Sequence, residues 1–184
     1  MRAEVKAAAR VVVGCAVAGA LGGVVWGLLA PAEHLLVVTE NRGAALTGES
    51  AHQFDAIAIF VCIAAFLGLI SAVASWQWRS MRGPLLFLGL LIGSAIGASI
   101  MAGVGEGVAK LRFPHVDSPV VDTVIAIAPG IGTLLTLIVQ PLVASFVILV
   151  IASVNPLDDL GTGRPRHAPD EADGTRADGE AAIT

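Results

Sequence analysis

The sequence predicts an all-α membrane protein: a four-transmembrane-helix bundle with a small extracytoplasmic cap and a disordered C-terminal tail. Three observations predict it. Of the 184 residues, 55% are hydrophobic and only 14% are charged, against a usual charged share of about 25% in soluble domains. The charges also leave four long gaps: 22 residues between Arg10 and Glu33, 23 between Asp55 and Arg79, 23 between Arg82 and Glu106, and 35 between Asp122 and Asp158. Each gap exceeds the roughly 20 residues that a helix needs to cross a hydrocarbon core of ~30 Å. Finally, the formal net charge of −4 belongs entirely to residues 155–184, where seven acids face three arginines, so the remainder is balanced. This composition excludes an ordinary soluble domain, a disordered chain and a nucleic-acid binder, which would carry a basic cluster.

The elements follow in order. Residues 1–10 hold Arg2, Lys6 and Arg10 and read as a cytoplasmic N-terminus. The first span covers 11–30. Ala30-Pro31-Ala32 resembles a signal-peptidase site, but the apolar run before it is longer than the 7–15 residues of a signal h-region. Residues 31–50 form an extracytoplasmic segment in which His34 to Val38 is strand-like and Glu40 to Gly43 turn-like, a pattern that fits a short β-hairpin. Ser50 and Gln53 have capping-box spacing, in which each side chain bonds the other's backbone N–H. They start the second span, 51–78. The connection at 79–83 carries Arg79 and Arg82 and ends in Gly83-Pro84. Proline in a first helical turn loses no hydrogen bond, so the third span runs 84–106, with an extension to Leu111 as the alternative. Glu106 and Lys110, four residues apart, can pair on that helix end. A second extracytoplasmic segment covers 107–130. Its Val- and Ile-rich stretch fits a strand, and a short helix starting at Pro119 fits nearly as well. The fourth span is 131–154. The tail, 155–184, has almost no apolar anchors and reads as disordered.

Lysines and arginines near span ends set orientation. With the N-terminus in the cytoplasm, eight lie inside and three, Arg42, Lys110 and Arg112, lie outside. The expected location is therefore the plasma membrane, multi-pass, with both termini cytoplasmic. Trp76 and Trp78 then fall at the inner interface and Trp26 near the outer one, positions that suit an aromatic belt.

Small residues mark candidate packing faces. Gly19, Gly23 and Gly27 recur every four residues on span one, and Gly89, Gly93 and Gly97 do so on span three. Such stripes let helix backbones approach closely. The two spans run in the same direction, so the stripes can pack against each other, or either can serve self-association. Gln140-Pro141 lies within span four. Pro141 removes one helix hydrogen bond and predicts a kink, and the Gln140 amide is expected to bond a neighbouring helix or local backbone.

No span has a charge near its centre, which argues against a proton path in one chain. Ser50, His52 and Asp55 are better explained by a helix start than by a catalytic triad. His34, His52 and His115 lack the spacing of a metal site. Cys15 and Cys62 both fall in apolar stretches and read as packing residues. No catalytic residue, cofactor, metal site or small-molecule ligand is expected. The expected partners are the bilayer, and other membrane proteins or a second copy.

Several short motifs carry a resemblance: Trp26 to Pro31, Gly48-Glu49-Ser50 with Phe54-Asp55, Trp76-Gln77-Trp78-Arg79 with Arg82-Gly83-Pro84, Gly103-Val104-Gly105 with Leu111-Arg112, and Gln140-Pro141. Over residues 10–155 the chain resembles a family of small mycobacterial and other actinobacterial membrane proteins classed as a domain of unknown function. The resemblance implies four spans and no assigned activity. The sequence thus predicts a non-enzymatic accessory, assembly or scaffolding protein of the cell envelope. The alternative is a small transporter or channel component, acting as an oligomer, with Gln140, Ser94, Ser99 or Thr136 lining a wet path.

Overall fold

The computed structural model describes residues 2–39, 42–45, 49–78, 83–114 and 123–155. The readings made for the 79–82 connection, for His115 and for the tail beyond Asn155 lie outside the described residues, as does the side-chain capping read for Ser50. The chain runs α1 (Arg2–Leu29), β1 (Glu33–Thr39), β2 (Arg42–Ala45), α2 (Glu49–Trp76), α3 (Pro84–Arg112), β3 (Val124–Ile127), a 3-10 turn (Leu134–Ile138) and α4 (Val139–Val154). Four helical segments are long and apolar enough to cross a membrane: Glu4–Leu29, Gln53–Trp76, Pro84–Arg112 and Leu134–Val154.

The helices form two parallel pairs. In the first, Ala8 meets Gly89, Val12 meets Gly93, and Gly19 meets Gly97, so α1 and α3 advance in step. In the second, Gly68 of α2 packs on Gln140 and Ala144 of α4. Two buried clusters hold the pairs together. One joins Trp26, Ala56, Phe60, Ala64, Met101 and Ile131. The other joins Ala7, Val11, Cys15, Ala72, Leu86, Leu90 and Ala144 near the opposite end.

Within the second polar segment, Val124–Ile127 forms a strand, while Pro119, where the alternative short helix would start, lies outside the described residues. β3 pairs antiparallel with β1, with His34 opposite Ala126 and Leu36 opposite Val124. β2 lies on the other side of β1, giving the order β2-β1-β3, and its register slips between Val37 and Thr39. The sheet therefore sits where α1 ends and α2 begins. Between β3 and α4 the chain turns at Gly132, whose φ of +65° is a region glycine adopts without strain. Thr133 then caps the 3-10 turn by accepting the Leu135 N–H at 3.3 Å.

The change from 3-10 to α geometry falls just before Gln140-Pro141. Pro141 is thus the third residue of α4, in a first turn whose N–H groups have no α-helical partner in any case. The fourth apolar segment is two helix types in series.

α3 continues past Glu106 to Arg112. Lys110 does pair with Glu106, at 3.8 Å, an exposed contact worth at most about 1 kcal/mol. Arg112 does more. Its guanidinium donates to the carbonyls of Gly27 at 2.9 Å and Leu28 at 2.6 Å, with Ala30 at 3.4 Å. These belong to the end of α1, where the last carbonyls lack helical partners and where α1 has no basic residue of its own. Because the two helices run in step, α3 supplies the cap for α1. Replacing Arg112 with glutamine should lower stability by about 1–2 kcal/mol, read as a drop in melting temperature in detergent. An unchanged melt would mean that these bonds contribute nothing.

Candidate functional site

No cluster of three or more metal-binding side chains occurs among the described residues. The most distinctive chemistry is the α1–α3 seam and the amide that lies against it. A β-carbon added to Gly19 would collide with the carbonyl of Gly97. One at Gly23 would come within 2.5 Å of the Met101 carbonyl, and one at Gly27 within 2.6 Å of the Gly105 carbonyl. Each obstacle is backbone, which cannot rotate away. The seam therefore brings together all six glycines of the two stripes: Gly19, Gly23 and Gly27 against α3, and Gly89, Gly93 and Gly97 against α1. Close backbone approach adds dispersion and Cα–H···O contacts, each small and collectively large.

Gln140 sits beside this seam. Its Nε2 lies 3.2 Å from where a β-carbon of Gly97 would be, and the residue is completely buried. Neither Nε2 nor Oε1 has a hydrogen-bond partner. The expectation of a satisfied amide is thus corrected. The amide lies against Gly97, a glycine that carries no side chain to answer it. An unpaired buried amide is destabilising by about 1–3 kcal/mol. Gln140→Leu, of similar size, should therefore melt a few degrees higher, whereas Gln140→Ala should melt lower by opening a cavity. A lower melt for Gln140→Leu would mean that the amide is bonded in the membrane.

The hydroxyls proposed for a wet path all have local acceptors. Ser94 donates to the Leu91 carbonyl at 3.0 Å, Ser99 to Ala95 at 2.9 Å and Thr136 to Thr133 at 2.7 Å. Ser94 and Thr136 are buried, and Ser99 lies on an exposed face. Across the bundle, Cys15 is buried, while Cys62 is exposed.

Sequence reasoning missed Trp26. An aromatic belt would leave it at the surface, yet it is fully buried. Its Nε1 donates to the Ala56 carbonyl at 2.8 Å, and its ring meets Phe60 edge-on at 5.8 Å. Gly105 makes this possible, since a β-carbon there would strike the indole. The available signal was that glycine, four residues on from Met101 and therefore on the seam face.

Seam, indole and sealed amide lie inside a bundle of four helices, each long and apolar enough to cross a membrane. That is the class the fold defines. Within it, the chain belongs to the family described as "Protein of unknown function (DUF2567)", whose model matches residues 15–162. Uncharacterised proteins of Mycobacterium tuberculosis and Mycobacterium bovis are 31% identical over 167 residues, covering 80% of this chain and 86% of theirs. One from Mycobacterium leprae is 32% identical over 169 residues, covering 82% of this chain and 85% of its own. No solved structure matches the chain.

Proposed function

We propose that the chain is an integral plasma-membrane protein, with both termini cytoplasmic and the sheet as an extracytoplasmic cap. In this reading it acts by contact, as an accessory, assembly or scaffolding protein of the cell envelope. The observation that carries this is how unevenly the bundle buries its helices. Half of the most apolar window of α3 is buried, but only 17% of that of the fourth segment. Leu134, Leu135, Ile138, Leu142, Phe146 and Leu149 are all more than half exposed. In water such a surface would be unfavourable by about 25 cal/mol per Å² of apolar area, and a bilayer removes that penalty. Inside a bilayer the same surface is free to meet another helix, because both stripes of the α1–α3 seam are already occupied within the chain.

A photo-crosslinking amino acid at Leu142 or Phe146, activated in intact membranes, tests the reading. It predicts a discrete adduct with one other protein, and no such adduct from Phe66 on α2. Adducts with lipid alone, together with a bare monomer after gentle extraction, would count against a contact role. The unpaired amide of Gln140 is the one feature that favours a transport role in an oligomer. Cysteine scanning from Thr133 to Phe146 with a water-soluble reagent separates the two, since uniform protection sinks the transport reading.

A further inference from the structure

The turn that opens the fourth apolar segment is lightly held. Its 5 residues, Leu134–Ile138, keep 3-10 geometry, longer than the roughly three or four at which such runs usually stop. A long 3-10 stretch joined to an α-helix marks a hinge or a strained sequence. Thr136 is its one buried residue, and Leu134, Leu135 and Ile138 are exposed. Leu137 packs partly against the cluster around Trp26 and Phe60, which holds the turn in place.

Both ends of the turn are jointed. Ahead of it, Gly132 takes a φ of +65° and Thr133 is extended, so the backbone changes conformation twice before the turn begins. Behind it, Pro141 has no N–H to offer the Leu137 carbonyl, the acceptor that α geometry would assign to it. The turn is therefore not tied into α4 by that bond.

Just past the turn lies the sealed amide of Gln140, which has no hydrogen-bond partner. It is unfavourable while dry, and water would satisfy it. Opening the turn loses the packing of Thr136 and Leu137 but hydrates the amide, so the two effects oppose each other.

We propose that Leu134–Ile138 is a hinged strap over Gln140, which opens at Gly132 and Pro141 to admit water from the sheet end of the bundle. The strap rests on the membrane reading above, which puts water beyond the sheet.

The reactivity of a cysteine in place of Thr136 measures the opening. Thr136→Cys is made in a chain whose Cys15 and Cys62 are alanine. The full chain is placed in lipid nanodiscs, which leave both faces open to a charged, water-soluble thiol reagent. Cys15, buried in the other cluster and kept alone in a Cys62→Ala chain, reports opening of the whole bundle. Thr136→Cys should react faster than Cys15. Gln140→Leu removes the amide that water satisfies, and should slow Thr136→Cys by roughly five-fold or more relative to Cys15. Gln140→Met serves where the leucine variant folds poorly. Gly132→Ala acts in the opposite direction. A β-carbon there has room, its nearest neighbour being Ile57 Cδ1 at 3.6 Å, but the positive φ strains alanine in the closed form. Reaction of Thr136→Cys should quicken by roughly two-fold or more.

A Thr136→Cys rate no faster than that of Cys15 overturns the strap, as does a rate that ignores Gln140→Leu or a change that Cys15 shares in full. A slower or unchanged rate in Gly132→Ala overturns the hinge at that residue. Failure of the chain to enter the discs would instead overturn the membrane reading itself.

Discussion

Gly19→Val is expected to melt roughly 6–12 °C below the parent chain in detergent, or to yield no folded protein. The obstacle is the carbonyl and Cα of Gly97, held in a helix that packs on its other faces. A valine at this point must push α1 and α3 apart along their whole contact. Overpacking by a methylene or two is destabilising by about 1–3 kcal/mol where side chains can shift. Here none can, and separation also loosens the contacts at Gly23 and Gly27, so the loss should reach about 3 kcal/mol or more. A chain of this size loses roughly 2–4 °C per kcal/mol. Gly14→Val and Gly103→Val are the controls. They lie on the same two helices, and a β-carbon at either meets nothing within 4 Å. Both should stay within about 1 kcal/mol of the parent, the scale of intrinsic helix propensity. If Gly19→Val behaves like Gly14→Val, the helices do not approach as described.

Trp26→Ala should be similarly damaging, by about 3–5 kcal/mol, the range for emptying a buried tryptophan site. Three neighbours lose their partner at once. The Ala56 carbonyl loses a donor at 2.8 Å, Phe60 loses an edge-to-face contact, and the hollow at Gly105 opens. Trp26→Phe keeps most of the ring and drops only the hydrogen bond, so its loss should be about 1 kcal/mol. Chemical or thermal unfolding in detergent gives both values. Near-equal losses in the two variants would mean that the hydrogen bond, and not the packed ring, holds α1 to α2.

These two residues mark how far the sequence could be read. Gaps between charges located four apolar segments because burying a charge in a bilayer is unfavourable enough to be avoided. The gaps could not fix where helices end. α1 begins at Arg2, nine residues ahead of its apolar run, since Glu4 and Lys6 are good helix formers and an exposed turn tolerates charge. α3 runs on to Arg112 because that side chain finds the open carbonyls of α1, a contact across 82–85 residues of sequence with no local signature.

The glycine stripes were legible as faces, because four-residue spacing defines one side of a helix. Their pairing needed the register, which follows from both helices running in the same direction. Trp26 was misread because interface preference is an average, while burial depends on the space left opposite. Gln140 was read as satisfied because most buried polar groups are. That its amide faces Gly97 depends on how the two helix pairs meet, which no local pattern encodes.

The central claim is that the four helices cross a bilayer with the sheet outside and the α2–α3 turn inside. Single cysteines at two described, exposed positions test it most directly: Ala126→Cys on β3 and Gln77→Cys just after α2, in a chain whose Cys15 and Cys62 are replaced by alanine. Intact cells are treated with a membrane-impermeant maleimide, before and after permeabilisation. The account predicts labelling of the Ala126 variant in intact cells, and of the Gln77 variant only once the membrane is opened. Labelling of both in intact cells, or the reverse pattern, would contradict it.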